Sequence, residues 1–260
     1  MSSPILLTGG TGTLGRQVTP LLRDAGHKVR ILSRHHHEPV DGVEYITGDL
    51  SSGEGVDAAV AGAETIVHLA GSQKNDETKA SNLVAAARQA GARHLVYISV
   101  VGGDRIPLES RTDRMMFGYF ASKRAAELIV AKSGVPWTTL RATQFHDLLL
   151  AMLEGMAKLP LIPVPAFRFQ PVDSGEVAAR LVELARSEPA GLVPNLGGPQ
   201  VYRMKDLLHS YLQAADKHRL TVPVRIPGKA ARAYRSGANL SPDHADGRRT
   251  WEEFLTEHLR

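Results

Sequence analysis

The segment Pro4-Ile5-Leu6-Leu7-Thr8-Gly9-Gly10-Thr11-Gly12-Thr13-Leu14-Gly15 joins an apolar run, a glycine-rich turn and the start of a helical pattern. Glycines let the backbone turn sharply and approach a phosphate, and the first turn of a helix offers unpaired N–H groups and a positive dipole. A glycine triplet alone is weak support, because turns collect glycine for many reasons. Its position between a strand pattern and a helix pattern predicts a loop that cradles the pyrophosphate of a dinucleotide.

Composition excludes several other classes of protein. The 260 residues are 43% hydrophobic and 22% charged, which is typical of a globular domain with a sizeable core. The sequence has no apolar run long enough to span a membrane and no signal-peptide pattern, and it has no cysteine, so we expect a cytoplasmic protein without disulfides. The net charge of +4, without a long basic run, suits an anionic cofactor, and we expect no nucleic-acid and no membrane partner.

Apolar strand patterns alternate with helical patterns through the first half of the chain, which is typical of a parallel sheet built from βαβ units. The predicted fold class is α/β, a doubly wound parallel sheet of the Rossmann type with a small C-terminal substrate-binding region. Strands are predicted at 5–8, 28–33, 43–47, 65–69, 94–99 and 138–141, and helices at 14–25, 55–60, 75–90 and 119–132.

The character of the sequence changes near residue 145, where an apolar helix at 148–159 precedes a segment punctuated by prolines. Further helices are predicted at 174–186, 204–215 and 250–258, with a late strand at 192–196. We therefore expect a dinucleotide-binding core at 1–145 and a region at 146–260 that completes the sheet and covers the substrate pocket, both within one integrated domain.

The end of the second predicted strand indicates which cofactor is bound. NAD-binding folds place an acidic residue there for the ribose 2′-hydroxyl, whereas this sequence has Ser33-Arg34. A guanidinium can pair with a 2′-phosphate, so Arg34 favours NADP(H) over NAD(H). Asp49 is expected beside the adenine, with a turn or helix cap as its alternative role. The run His35-His36-His37 is interpreted as an exposed polar loop, and no metal site is predicted.

A tyrosine and a lysine four residues apart form a candidate catalytic pair. Tyr119 and Lys123 would share one face of a helix. A nearby ammonium favours the phenolate and lowers the pKa of a tyrosine from its usual value near 10, which suits acid–base chemistry on a carbonyl or alcohol. Ser99, at the end of a predicted strand, would donate to a substrate oxygen or else bond within the fold. The segment Gly102–Met116 is expected to be a lid loop.

Several motifs together resemble the short-chain dehydrogenase/reductase superfamily. They are the segment Thr8–Gly15, His68-Leu69-Ala70-Gly71, Tyr97-Ile98-Ser99 and Tyr119-x-x-x-Lys123. The segments at 137–145 and 169–173, and the ending Thr250-Trp251-Glu252-Glu253-Phe254-Leu255, are similar to its atypical, NmrA-like NAD(P)H-binding branch.

The resemblance implies roles for particular residues. The pyrophosphate would be lined by Gly9, Thr11, Gly12, Thr13, Leu14 and Gly15, the 2′-phosphate by Arg34, and the adenine by Asp49 and Leu50. The nicotinamide half would be flanked by Ala70, Gly71, Lys123, Ala142, Thr143, Gln144 and Phe145. Tyr119 would donate or accept the proton, with Ser99 as a helper. The pocket wall would include Gln144, Phe145, His146, Met152, Phe167 and Phe169.

The resulting hypothesis is an NADP(H)-dependent oxidoreductase of short-chain dehydrogenase/reductase type. It would transfer a hydride to or from a small, partly apolar carbonyl, alcohol or quinone-like substrate. Two alternatives stay open: an NADP(H)-binding redox sensor or regulator that catalyses nothing, and a redox-neutral lyase or isomerase on the same fold. The sequence leaves the oligomeric state open, with a homodimer as one assembly that it allows.

Overall fold

The computed structural model describes residues 3–40, 42–72 and 75–259. The elements in chain order are β1 (Ile5–Thr8), α1 (Thr13–Asp24), β2 (Val29–Ser33), β3 (Val43–Thr47), α2 (Val56–Val60), β4 (Thr65–His68), α3 (Asp76–Gln89), β5 (His94–Val100), α4 (Arg111–Ala131), β6 (Trp137–Ala142) and α5 (His146–Met156). They continue with β7 (Leu161–Pro165), β8 (Arg168–Phe169), α6 (Ser174–Ala185), β9 (Gly191–Leu192), β10 (Tyr202–Arg203), α7 (Met204–Ala214), β11 (Leu220–Val224), α8 (Lys229–Arg235), a 3₁₀ turn (Pro242–His244) and α9 (Trp251–His258).

Seven strands form one sheet in the order β3-β2-β1-β4-β5-β6-β9. The pairs on both sides of β1 are parallel, and so are β2–β3, β4–β5 and β6–β9. The chain order reverses between β1 and β4, which is the switch point where doubly wound sheets bind their ligands. The predicted fold class, a Rossmann-type parallel sheet with flanking helices, is confirmed.

The chain forms two compact units that interleave along the sequence. The first contains the described residues up to Ser99, together with Ala121–Arg141 and Gly175–Pro194. The second contains Val100–Phe120, Ala142–Ser174 and the described residues from Asn195 onward. These limits are set by packing, and the sequence-based division after residue 145 into a cofactor-binding core and a covering region stays a prediction.

Each unit has its own hydrophobic core. In the first unit, apolar residues of α2, α3, β4 and β5, including Ile66, Leu83 and Leu95, pack together without solvent exposure. In the second unit, α5, α7 and α9 pack around Tyr211, Trp251 and Phe254. Two short sheets belong to the second unit: the antiparallel pair β8–β10 and the parallel pair β7–β11.

Two predicted elements need correction. The helix predicted at 119–132 begins eight residues earlier, at Arg111, and the strand predicted at 192–196 is reduced to Gly191–Leu192. Strands β7 and β11 were not predicted, because prolines break their apolar patterns. Among the described residues, no helix has both the length and the apolar character needed to cross a membrane.

Candidate functional site

The glycine-rich turn after β1 has the close packing that its sequence predicts. Gly9 has a left-handed φ of +74°, and a Cβ there would lie 2.7 Å from the backbone nitrogen of Ala70. A Cβ on Gly15 would lie 2.2 Å from the carbonyl oxygen of Gly9. Real Cβ atoms do not approach backbone atoms this closely, so both positions require glycine for packing. Gly12 differs, because its Cβ would meet only the Gly9 oxygen, at 3.4 Å.

The first turn of α1 is open to an anion. Gly12 is its N-cap residue and supplies no side-chain hydrogen bond to the first helical N–H groups, and the first turn contains no acidic residue. Thr11, Gly12 and Thr13 are exposed, whereas Leu14 and Gly15 are buried. A helix start with unpaired N–H groups and the positive end of the helix dipole suits a phosphate. Arg16 is also exposed here, and its Nε donates to the carbonyl oxygen of Thr11 at 3.0 Å.

The end of β2 presents a free cation. Ser33 is buried, and its Oγ accepts from the backbone nitrogen of His35 at 3.2 Å and contacts Nε2 of His37 at 3.0 Å. Arg34 is exposed, and its guanidinium forms no ion pair with any residue that the structure describes. His36 contacts Glu38 at 3.5 Å in an exposed pair. The hydroxyl of Ser33 therefore holds the turn at His35 and His37. The guanidinium of Arg34 remains without an ion-pair partner among the described residues.

Asp49 has the turn-capping role that was its alternative interpretation. Its Oδ1 accepts from the backbone nitrogen of Ser51 at 2.8 Å, which closes an Asx turn after β3. Leu50 is buried in the core of the first unit, and its carbonyl oxygen accepts from Asn82 at 2.7 Å. Contact of Asp49 and Leu50 with an adenine stays a prediction.

Lys123 lies buried beside the turn that follows β4. Its Nζ is 3.1 Å from Oδ2 of Asp76, and it lies 5.4 Å from the ring centre of Tyr97. Gly71 is exposed, and a Cβ there would lie only 2.5 Å from this ammonium. Burial lowers the pKa of Lys123, while the Asp76 carboxylate opposes that shift. A side chain at position 71 would therefore collide with the ammonium.

A buried histidine lies next to this pair. The Nδ1 of His68, at the end of β4, is 2.7 Å from the Oγ1 of Thr8, and its ring stacks on Tyr97 at 5.3 Å. Burial, and secondarily the Lys123 charge, lower the pKa of His68 to about 3. His68 is therefore neutral throughout the physiological range. It is an uncharged residue packed between Thr8 and Tyr97.

Ser99 is held by a buried network of charges. Its Oγ donates to Oε2 of Glu127 at 2.9 Å, and Arg141 donates to both oxygens of Glu127, at 3.0 and 2.6 Å. Arg124 also pairs with Glu127. Ser99 is 2% exposed. Because its hydroxyl proton is directed to Glu127, the geometry gives no support to Ser99 as a donor to substrate, and its side chain is used inside the fold.

Tyr119 lies in the first half of α4, one turn before Lys123, and is half-buried against Phe120 at a ring distance of 5.8 Å. The helix starts earlier than predicted because Ser110 and Asp113 form a capping box: each backbone nitrogen donates to the other side chain, at 3.1 and 2.9 Å. The signature Ser-x-x-Asp in the sequence could have revealed this start. The expected lid loop Gly102–Met116 is therefore helical from Arg111 onward.

The remaining predicted residues belong to the second unit. Thr143 donates to the carbonyl oxygen of Gln170 at 2.5 Å, and Phe145 is the N-cap residue of α5. Gln170, which is 1% exposed, donates to the Gly198 and Ser241 carbonyl oxygens and accepts from the Ser241 nitrogen. The backbone of Gln170 holds Thr143 and Gln144, because its carbonyl oxygen accepts from Thr143 and its nitrogen donates to Oε1 of Gln144. Gln170 lies in the motif at 169–173, but the sequence predicted no role for it.

His146 is fully buried, and neither ring nitrogen has a hydrogen-bond partner among the described residues. Its Nδ1 is 4.0 Å from Oδ2 of Asp173, and its ring packs against Phe254 and Trp251. Asp173 is in turn bound by Arg249 at 2.8 Å. His146 is thus an internal packing residue of the second unit.

A cavity of about 900 Å³ lies in the second unit, between the ends of α5 and α7 and the start of β11. Its lining residues include Lys158, His209, Lys217, His218 and Arg219, and none of the predicted site residues. Arg219 donates to the carbonyl oxygen of Ala157 at the end of α5. Cations commonly stabilise helix C-termini, which accounts for much of this basic lining. Among the described residues, no group of histidine and acidic side chains is arranged to hold a metal ion.

The parallel sheet, the glycine turn at its switch point and the open helix start together define a dinucleotide-binding protein. A model of the NAD(P)H-binding family matches residues 9–148. The chain belongs to this family, and its structural neighbours lie in the atypical short-chain dehydrogenase/reductase, NmrA-like superfamily, as the sequence motifs predicted.

Two curated proteins are similar to the chain in sequence. The chain is 34% identical over 157 residues to a (4-alkanoyl-5-oxo-2,5-dihydrofuran-3-yl)methyl phosphate reductase of Streptomyces griseus, covering 58% of this chain and 51% of that protein. It is 30% identical over 204 residues to a ceramide reductase of Caulobacter vibrioides, covering 73% of this chain and 63% of that protein. The chain thus spans about half to two-thirds of the length of these curated relatives.

A solved structure of an NADPH-dependent quinone oxidoreductase from Escherichia coli, in complex with NADPH, has the same fold. It superposes with a TM-score of 0.79 at 17% identity, over 98% of this chain and 100% of that one. At this identity the likeness concerns the fold.

Proposed function

We propose that this chain is an NADP(H)-dependent oxidoreductase. It transfers a hydride to or from a small, partly apolar substrate that carries a carbonyl, an alcohol or a quinone-like group. The observation that carries the proposal is the glycine turn at the switch point of the sheet, with the uncapped first turn of α1 behind it. Membership of the NAD(P)H-binding family and the reductases among its relatives support the same class of reaction.

The residues of the first unit fit a dinucleotide. The exposed N–H groups around Gly12 and Thr13 would hold the pyrophosphate, because no side chain caps the helix there. Asp49 has a second carboxylate oxygen that could accept from the adenine amine while the first closes its turn. Ala70, Gly71 and Lys123 would flank the nicotinamide ribose, where the buried ammonium lies beside Gly71.

Arg34 supports NADP(H) as the preferred form. Its exposed guanidinium follows β2 directly and has no ion-pair partner among the described residues. A 2′-phosphate would supply that partner in a bidentate, charge-assisted pair. A carboxylate at this position would instead repel the phosphate and accept from a ribose hydroxyl.

In the proposed mechanism Tyr119 handles the proton. Bound NADP(H) would supply the hydride, so the protein has to bind and orient the cofactor and the substrate and to protonate the substrate oxygen. The phenol of Tyr119 donates its proton to the substrate oxygen during reduction and accepts a proton during oxidation. Lys123, one helical turn away on the same helix, contributes a positive charge that favours the phenolate.

A non-catalytic NADP(H) sensor is the second candidate. It is favoured by the partners of two predicted catalytic side chains, since Lys123 pairs with Asp76 and Ser99 donates to Glu127. Both contacts lie inside the first unit, and a regulator that binds NADP(H) without turnover would have the same contacts. This candidate requires the glycine turn and Arg34 but no chemistry at Tyr119.

Cofactor binding is tested first. NADPH and NADH are titrated into the protein by calorimetry, with Arg34→Gln and the exposed Arg88→Gln as matched variants. Loss of one charge-assisted pair costs about 1.5–3 kcal/mol, so Arg34→Gln should weaken NADPH binding roughly tenfold or more and leave NADH binding unchanged. Equal binding of both cofactors by all three proteins would contradict the assignment of Arg34.

Turnover is tested by following NADPH oxidation with a panel of quinones, carbonyls and activated alkenes. With any substrate that reacts, Tyr119→Phe should lower kcat by about 100-fold or more, because it removes the proton donor, while NADPH affinity stays unchanged. Tyr202→Phe, whose hydroxyl bonds to Glu252, is the control. Tight NADPH binding without turnover across the panel would favour the sensor, and full activity of Tyr119→Phe would refute the proton role.

Other features of the proposal follow from the class of protein. The partner is a small molecule, with no nucleic acid. A cytoplasmic location and a homodimer stay predictions.

A further inference from the structure

The first unit contains a buried ion pair between Asp76, the first residue of α3, and Lys123 of α4. The two residues are among the least exposed charged residues of the described chain, at 1% for Asp76 and 5% for Lys123. Taking two charges out of water carries a desolvation penalty that their attraction repays only in part. An apolar pair of similar size would pack at least as well, so the pair calls for a reason other than packing.

Asp76 also holds the backbone of the turn after β4. While Oδ2 faces Lys123 at 3.1 Å, Oδ1 accepts from the backbone nitrogen of Ser72 at 2.8 Å. Between these two contacts lies Gly71, which is exposed and whose Cβ would lie 2.5 Å from Nζ of Lys123 and 3.3 Å from Oδ2 of Asp76. One carboxylate therefore contacts both the ammonium and the backbone of the turn that contains Gly71.

We propose that Asp76 is a positioning residue of the cofactor site, which holds Lys123 and the Gly71 turn in the arrangement that receives the nicotinamide ribose of NADP(H). The proposal rests on the function proposed above, since it assumes that this turn faces a dinucleotide. Asp76 itself does not touch the cofactor. It acts through the ammonium, which donates to ribose hydroxyls, and through the turn, where Gly71 has no side chain that would displace this ammonium.

The surroundings of Lys123 predict a signature in pH. The groups that face its ammonium are Asp76 and Lys79 from α3, His68 from β4 and the ring of Tyr97 from β5. Burial lowers the pKa of Lys123, Lys79 lowers it further, and Asp76 is the group that raises it. With Asp76 neutralised, the ammonium should lose its proton at a lower pH than in the wild type.

The test measures NADPH affinity between pH 6 and 9.5 in four proteins: wild type, Asp76→Asn, Lys123→Met and the exposed control Asp57→Asn. Asparagine keeps the shape and an acceptor for Ser72 but removes the charge. We expect Asp76→Asn to bind NADPH at least fivefold more weakly than wild type, with a decline in affinity that begins at lower pH. Lys123→Met should bind weakly without this decline, and Asp57→Asn should match the wild type.

The outcomes separate the two proposals. If wild type binds NADPH and Asp76→Asn follows the wild-type affinity at every pH, the role of Asp76 is refuted and the proposed function stands. If Lys123→Met binds as tightly as wild type, the ammonium does not hold the ribose, and the inference is refuted. If wild type binds neither NADPH nor NADH, the proposed function fails and the inference fails with it.

The double variant Asp76→Asn/Lys123→Met keeps the test decisive if Asp76→Asn alone does not fold, because it leaves no unpaired buried charge. A positioning residue that acts through Lys123 predicts that the double variant binds NADPH as Lys123→Met does. Asparagine keeps the acceptor for the Ser72 nitrogen, so the turn is preserved in the double variant. Binding tenfold weaker than Lys123→Met would therefore show that the charge of Asp76 acts by a route other than the ammonium, and it would overturn the proposal. Thermal unfolding of each variant identifies those that fold.

Discussion

Replacing His68 with phenylalanine should make the protein less sensitive to acid. His68 is fully buried, and its pKa is lowered from 6.5 to about 3, chiefly by burial and next by the charge of Lys123. In the unfolded chain the imidazole takes up a proton below pH 6.5, whereas in the folded protein it stays neutral until about pH 3. Stability is therefore lost as the pH falls through this window, since the unfolded state binds the extra proton.

The size of the effect follows from the two pKa values. One unit of pKa difference corresponds to about 1.4 kcal/mol, so at pH 5 the proton on unfolded His68 favours unfolding by about 2 kcal/mol. At pH 7.5 the same contribution is about 0.1 kcal/mol. His68→Phe removes this pH-dependent part and keeps a ring against Tyr97. It also leaves the Thr8 hydroxyl without its partner, which costs about 1–3 kcal/mol at every pH.

The assay is urea unfolding followed by circular dichroism at pH 7.5 and pH 5.0. We expect the free energy of unfolding of the wild type to fall between these pH values by about 2 kcal/mol more than that of His68→Phe. Other groups titrate in both proteins, including His94, whose pKa is also lowered by burial. The quantity compared is therefore the slope, which is the change in the free energy of unfolding between the two pH values. The exposed His36→Phe should keep the wild-type slope. Equal slopes for wild type and His68→Phe would refute the reasoning.

Two further variant pairs test the glycine turn and the buried charge network. Gly15→Ala should lower the free energy of unfolding by about 2 kcal/mol, because its Cβ meets the Gly9 oxygen at 2.2 Å. Gly12→Ala should unfold like wild type but bind NADPH about tenfold more weakly in calorimetry, and unchanged affinity would contradict pyrophosphate binding there. Glu127→Gln should lower the free energy of unfolding by about 3 kcal/mol in urea, because Arg141 loses its buried partner. Glu183→Gln, in an exposed pair, should change it by less than about 0.5 kcal/mol, and equal losses would contradict the importance of burial.

Local patterns in the sequence predicted the first unit well. The strands at 5–8 and 43–47 have the predicted limits, and the glycine turn lies between β1 and α1 as its spacing required. These features depend on periodicity and on glycine conformation, which neighbouring residues determine. The start of α4 was misplaced because Gly118 and the charged residues before it interrupt the apolar pattern, while the capping pair of Ser110 and Asp113 was overlooked.

Side-chain partners were harder to predict, because they join residues far apart in the chain. Ser99 and Glu127 are 28 residues apart, and their hydrogen bond depends on how α4 packs on the sheet. Lys123 was predicted to act on Tyr119 and the ribose, and its pairing with Asp76, 47 residues earlier in the chain, was not foreseen. Gln170 lies in the motif at 169–173, but the partners of its buried amide were not predicted.

The sequence by itself determined the family, the fold class and the site of the dinucleotide turn, because each is encoded in short runs of residues. Only the tertiary structure decided which charged groups are buried together and which stay free. Arg34 keeps its exposed guanidinium, Ser99 gives its proton to Glu127, and Lys123 is held by Asp76 beside Gly71. The physical reason is that desolvation and ion pairing depend on the distances and burial that folding creates, and the order of residues along the chain does not specify these directly.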